Sequence, residues 1–209
     1  MTSFLDWRGI HSGQHIYVIG KGPSLRTFSP FESFANEVCI GVNNVYKYFP
    51  FCRYVVFWHK EFYEGDKAYL DSQRDFQLFY SNVNGLPDDI PNGINLPYSG
   101  DFPQAGTMFG TLEYWKGHPS ELLFKTTFAS AVKLAWWMGA QRVTLLGCDF
   151  SLAQGRTADD SRLLVDVPAP NLTVEQMMDR QKLVFDNLRE ELAKDRVVLD
   201  RATGPEQIK

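Results

Sequence analysis

Short apolar runs separated by polar or helical stretches set the rhythm of this chain. Ile16–Ile19, Val38–Val42, Arg53–Trp58, Phe76–Tyr80, Arg142–Leu146 and Arg196–Leu199 each read as a strand bounded by turn residues. Helical spacing recurs between them. Lys60–Ser72 predicts a helix with Phe62, Tyr69 and Leu70 turned inward. Thr127–Gly139 predicts a helix with small residues on one face, ended by Gly139. Thr173–Lys194 predicts a long amphipathic helix, opened by a capping box of Thr173 and Gln176. Leu25–Phe34 fits a short helix interrupted by Pro30, and Val45–Phe49 a helical turn closed by Pro50. Residues 1–15 read as a lead-in strap, and the tail after Gly204 as frayed. The alternation predicts an α/β fold: Rossmann-like, with a mostly parallel sheet and helices on both faces, in a single domain over 1–209.

Two stretches break the rhythm. Residues 81–125 repeat Gly, Pro, Asn and Asp without a clear element, which predicts an inserted lid or a peripheral excursion packed by Phe102, Phe109, Tyr114 and Trp115. Residues 151–172 read as a flexible loop with Pro168 and Pro170.

The first strand runs straight into Gly20-Lys21-Gly22-Pro23-Ser24. Glycine permits a tight turn and close backbone approach, and proline suits a first helical turn. A strand passing through glycines into a helix start leaves N–H groups facing outward, an arrangement that favours a phosphate. The plainer reading is a tight turn with no ligand. In open parallel sheets, ligands bind beyond the carboxyl ends of the strands. Several polar residues fall at such ends: the glycine turn, Asn43-Asn44, His59, and Gly147 and Asp149 with Ser151. Thr126 and Thr127 open the helix before the strand at 142–146. Each has a structural alternative. Asn43 suits an Asx turn, Asp149 a loop cap in place of a ribose hydroxyl or divalent cation to hold, Lys21 plain solvation, and His59 a hydrogen-bonded structural role beside an aromatic run.

Composition narrows the field. The net charge of −4 gives no general drive toward nucleic acid or an anionic membrane. No apolar run approaches the roughly 20 residues a spanning helix needs. The N-terminus has no signal-peptide pattern, and Cys39, Cys52 and Cys148 have no metal-like spacing. Reduced thiols and a cytoplasmic location are expected. Zincin, P-loop and lipase motifs are missing from the sequence. Asp88-Asp89 and Asp159-Asp160 read as solvated loop charges.

The series GKGPSL, VNN, FWH and TTFASAVKLAWWMGAQRVTLLGCDFS resembles the bacterial sialyltransferases that modify lipooligosaccharide and the wider GxGPS set related to them. The resemblance covers roughly 15–155 and implies a CMP-sialic acid site in a Rossmann-like domain with an inserted lid. The family's GxGPS turn falls on Gly20, Gly22, Pro23 and Ser24. Its nucleotide asparagine falls on Asn43, its hydroxyl-bearing helix start on Thr126 and Thr127, and its GxD on Gly147 and Asp149. The family's second asparagine is His59 here, and the tyrosine after its GxDF is Ser151. Its late catalytic histidine has no counterpart, since no histidine follows His118. A second similarity, through the glycine turn and GxD, is to the archaeal 6-hydroxymethylpterin diphosphokinase-like family, although Trp58-His59 stands where that family has an aspartate.

The leading expectation is a nucleotide-sugar-dependent glycosyltransferase of sialyltransferase-like type that needs no cofactor. Its nucleotide site would comprise Gly20, Lys21, Gly22, Pro23, Ser24, Asn43, Asn44, Thr126, Thr127, Gly147, Asp149 and Ser151, with His59 and Asp149 as candidate catalytic groups. The alternatives are a diphosphokinase-like enzyme with Mg held at Asp149, and a non-catalytic nucleotide- or glycan-binding protein. The expected partner is a nucleotide or nucleotide-sugar, not nucleic acid. The chain is short for the family, so the acceptor half of the site is expected to be reduced or completed by a second subunit, as in a homo-oligomer.

Overall fold

The computed structural model describes residues 3–72, 76–81, 85–96, 111–118, 126–150 and 173–208. Seven strands form a wholly parallel sheet: β1 His15–Ile19, β2 Val38–Val42, β3 Tyr54–Phe57, β4 Gln77–Tyr80, β5 Gly93–Asn95, β6 Arg142–Leu146 and β7 Val198–Ala202. Their order is β5-β4-β3-β2-β1-β6-β7. The chain steps outward from β1 to β5, returns to pair β6 with the free side of β1, and finishes at β7. The winding therefore reverses between β1 and β6.

Side chains alternate across the sheet and both faces are covered, which is why most strands read as continuous apolar runs. On one face Ile16, Val18, Ile40, Val56, Val143 and Leu145 pack with α3 (Thr127–Trp137) and α4 (Val174–Ala193). On the other, Tyr17, Ile19, Cys39, Val55, Phe57 and Leu146 pack with α1 (Lys60–Ser72) and 3-10 turns. All three cysteines are buried free thiols.

Several expectations change. The region expected to lack elements contains β5 and α2 (Leu112–Gly117), and Trp115 is buried. Leu25–Phe34 is not one helix but two 3-10 turns, Pro23–Phe28 and Phe31–Phe34, because Pro30 breaks the ladder. The turn after β2 spans Asn43–Lys47. In α1, Tyr63 and Leu70 are the buried residues, whereas Tyr69 is 46% exposed. The last strand ends at Ala202, and the tail is held by a 3-10 turn at Pro205–Gln207, where Thr203 N donates to Gln207 Oε1 at 2.6 Å.

The N-terminal strap has a clear attachment. Gly9, His11 and Gly13 donate backbone bonds to Trp137, Met138 and Gly139 at the end of α3. Gly139 takes φ +92 and the chain enters β6 three residues later, so α3 runs antiparallel to the strands. Eleven residues span about 16 Å, as does a five-residue strand. The start of α3 is thereby carried to the carboxyl ends of the strands.

Candidate functional site

The carboxyl ends of β2, β1 and β6 lie side by side, and two strand spacings put the outer pair about 10 Å apart. Paired residues fix the level: Ile19 stands opposite both Gly41 and Leu146. Gly20–Ser24, Asn43-Asn44 and Gly147–Asp149 therefore emerge on one rim, with Thr126 and Thr127 above it at the head of α3.

The glycine turn is locked to β6. Gly20 N donates to Leu146 O at 2.7 Å, Gly22 N to Gly147 O at 2.6 Å, and Ser24 N to Asp149 Oδ2 at 2.9 Å. The backbones come so close that a Cβ on Gly20 would lie 2.5 Å from Gly147 O, and one on Gly147 equally close to Gly20 O. Gly147 also takes φ +63, where glycine is favoured. This changes the anion reading. The amides of Gly20, Gly22 and Ser24 do not face outward, and the anion at the start of the Pro23–Phe28 turn is the carboxylate of Asp149. The sequence could not show this, because it depends on β6 being the neighbour of β1.

The polar side chains of the rim have open valences. Ser24 Oγ, Asn43 Oδ1, Asn44 Oδ1, Thr126 Oγ1 and Asp149 Oδ1 are buried and have no hydrogen-bond partner among the described residues. A buried polar atom left unsatisfied costs about 1–3 kcal/mol, so the five on one rim need polar partners, which water or a ligand can supply. Asn43 also takes φ +55, a conformation that asparagine tolerates better than most residues. Trp7 Nε1 is likewise unpartnered, but under the N-terminal strap.

Other groups sit around this centre. His59 follows β3, half-buried, with its ring 5.9 Å from that of Phe62. Burial holds its pKa below the usual histidine value, against a smaller upward pull from Glu61. Lys21 lies with Nζ 5.6 Å from the centre of the Tyr48 ring. Phe150 takes φ +51 and packs between Phe128 of α3 and Phe185 of α4. Arg201, at the end of β7, donates from Nη1 to Asp149 O at 2.7 Å and covers the Phe150 ring at 5.4 Å. Sequence reasoning missed Arg201 because it ended the last strand at Leu199. Ser151, the loop at 151–172 and most of the expected lid lie outside the described residues. His118 is the exposed C-cap of α2 and stacks on Tyr114. Among the described residues no group of three His, Cys, Asp or Glu is placed to hold a metal ion, and no helix is long and apolar enough to cross a membrane. A Mg ion at this rim would be offered Asp149 Oδ1, since Oδ2 already accepts from Ser24.

No protein-family model matches the sequence, and no curated protein matches it. Solved structures do. The sialyltransferase CstII from Campylobacter jejuni, in complex with cytidine monophosphate, superposes with a TM-score of 0.56 at 15% identity, covering 94% of this chain and 82% of that one. A tyrosine-to-phenylalanine variant of CST-II, also with CMP, gives 0.57 at 15% identity, covering 93% and 83%. The chain shares the sialyltransferase fold. At this identity the likeness concerns architecture: the parallel sheet of the sialyltransferase fold, wound on both faces, is what the two have in common.

Proposed function

We propose that this protein is a nucleotide-sugar-dependent glycosyltransferase of sialyltransferase-like type, binding a CMP-sugar or related nucleotide at the carboxyl rim. The observation that carries the reading is the cluster of unpartnered buried polar atoms on Ser24, Asn43, Asn44, Thr126 and Asp149, at the point where the winding reverses. Amide and hydroxyl side chains of this kind suit the hydroxyls and base edges of a nucleoside. That the solved structures sharing the fold hold CMP supports the same class.

In the proposed reaction the acceptor hydroxyl oxygen bonds to the anomeric carbon of the donor sugar. The bond from that carbon to the phosphate oxygen breaks, and its electron pair leaves with CMP. The hydroxyl proton passes to a base. His59 and Asp149 are the candidates, and His59 is favoured because burial keeps its imidazole neutral near pH 7. Asp149, already fixed by Ser24 N–H, accepts a hydroxyl through its free oxygen. The chemistry is proposed to need no metal, and the buried free thiols suit a reducing, cytoplasmic setting.

Calorimetry with CMP, CMP-sialic acid, UDP-sugars and ATP, with and without magnesium, tests this. CMP compounds are expected to bind, unchanged by EDTA, and CMP-sialic acid to be hydrolysed or transferred. ATP binding that requires magnesium, with no response to CMP, would overturn the proposal. His59→Gln should lower turnover by about 10²-fold or more while leaving CMP affinity in place.

A further inference from the structure

The last strand carries a cation that the roles above do not use. Arg201 is exposed at the carboxyl end of β7. Nη1 donates to Asp149 O at 2.7 Å and approaches Cys148 O at 3.5 Å, while the guanidinium covers Phe150. Among the described residues it forms no ion pair, in contrast to Arg142, which is held by Asp200 at 2.6 Å. An arginine fixed by one nitrogen and a ring face keeps Nε and the other terminal nitrogen as donors in a planar fork. That fork is anchored on Asp149, the residue whose Oδ1 is unpartnered. The guanidinium is thus tied to the backbone of the residue whose side chain closes the glycine turn. The amides of Gly20, Gly22 and Ser24, which would otherwise meet an anion here, are occupied by Leu146 O, Gly147 O and Asp149 Oδ2.

We propose that Arg201 is the phosphate-binding cation of this site, an inference that rests on the glycosyltransferase reading. It meets the phosphate of the bound donor. When the bond between the sugar carbon and the phosphate oxygen breaks, the electron pair stays on that oxygen, and the added charge develops beside the guanidinium. A side-chain cation then does electrostatically what a metal or a row of free amides would do.

The test is calorimetry of the full chain with two probes, CMP and cytidine, which differ by the phosphate. Arg201→Gln should weaken CMP by about tenfold or more and leave cytidine unchanged. Arg201→Lys, which keeps the charge without the fork, should fall between Gln and wild type for CMP. If Arg201→Gln does not fold, the Lys variant gives the same comparison: weaker CMP with unchanged cytidine supports the role, and unchanged CMP overturns it. Equal losses for CMP and cytidine would also overturn it, since they would mark Arg201 as a support for the Phe150 turn. Wild-type protein that binds neither probe would instead remove the glycosyltransferase reading on which the inference rests.

Discussion

At the scale of single residues, the rim depends on one crowded backbone position and one left-handed one. Gly22 sits where a Cβ would lie 2.6 Å from Gly147 O and would also collide with the carboxylate of Asp149. Gly22→Ala must therefore push β1 and β6 apart at their ends. It is expected to lower stability by about 1–3 kcal/mol in urea titration, the usual scale of overpacking. An unchanged midpoint would mean that the lock is softer than its geometry implies. Asn43 holds φ +55 and brings one of the open valences. Asn43→Ala mixes two losses, the amide and the left-handed preference. Asn43→Gly separates them, because glycine keeps the backbone conformation. Both variants should lose at least about 1 kcal/mol of nucleotide affinity, the scale of a hydrogen bond, while only the alanine variant is destabilised by the backbone. Full CMP affinity in Asn43→Gly would remove this side chain from the site.

At the scale of elements, the sequence was legible wherever one physical signal was strong. β2 and β6 were readable to the residue because both faces are buried and turn residues bound the runs. The start of α4 was readable because its capping box is local chemistry. Thr173 Oγ1 accepts from Gln176 N at 3.2 Å, and Gln176 Oε1 accepts from Thr173 N at 2.8 Å. Thr173→Ala should cost about 1 kcal/mol. In a chain of this size that lowers Tm by about 2–4 °C, readable by calorimetric melting. Elements went unread, or were read with shifted bounds, where the signal was weak or non-local. β5 is only Gly93–Asn95, too short to show a period. β7 carries polar Asp200 and Arg201, so its apolar run stops early. For the site, the sequence pointed to Ser24, Asn43 and Asp149 through strand ends, to Thr126 through a helix start, and to all four through the family resemblance. It could not show that Asp149 closes the glycine turn from a strand that follows it by more than a hundred residues, because that bond depends on which strands are neighbours.

At the scale of the whole molecule, the histidines tie stability to pH in one direction. His59 beside the rim, His11 in the N-terminal strap and His15 on β1 all have pKa values held below the ordinary 6.5, each with burial as the largest cause. At His11 the side-chain bond to Gln14 pulls upward and Arg53 pushes downward, and the ring is also bonded to Tyr54 OH. Arg142 adds to the lowering at His15, against an opposing pull from Asp200. In the unfolded chain these rings take up protons near the ordinary value, whereas the folded chain resists until the pH is lower. Just below pH 6.5 the unfolded state therefore binds more protons, and stability must fall as pH falls. The neutral rings stabilise the fold fully above that value, and the contribution is lost as pH drops through the lowered folded values. Urea midpoints between pH 7.5 and 5.5 should decrease steadily. The lowered carboxylates Asp195 and Glu191 titrate in a more acidic range, below about 4.5, and do not blur the window. Replacing His15 by Gln should flatten part of the slope without touching the rim, because His15 contacts Thr144 and Tyr17 rather than the strand ends. A midpoint that stays level or rises on acidification would show that these rings are as accessible to protons in the folded protein as in the unfolded one. The neutral imidazole assigned to His59 as a base near pH 7 would then lose its physical support.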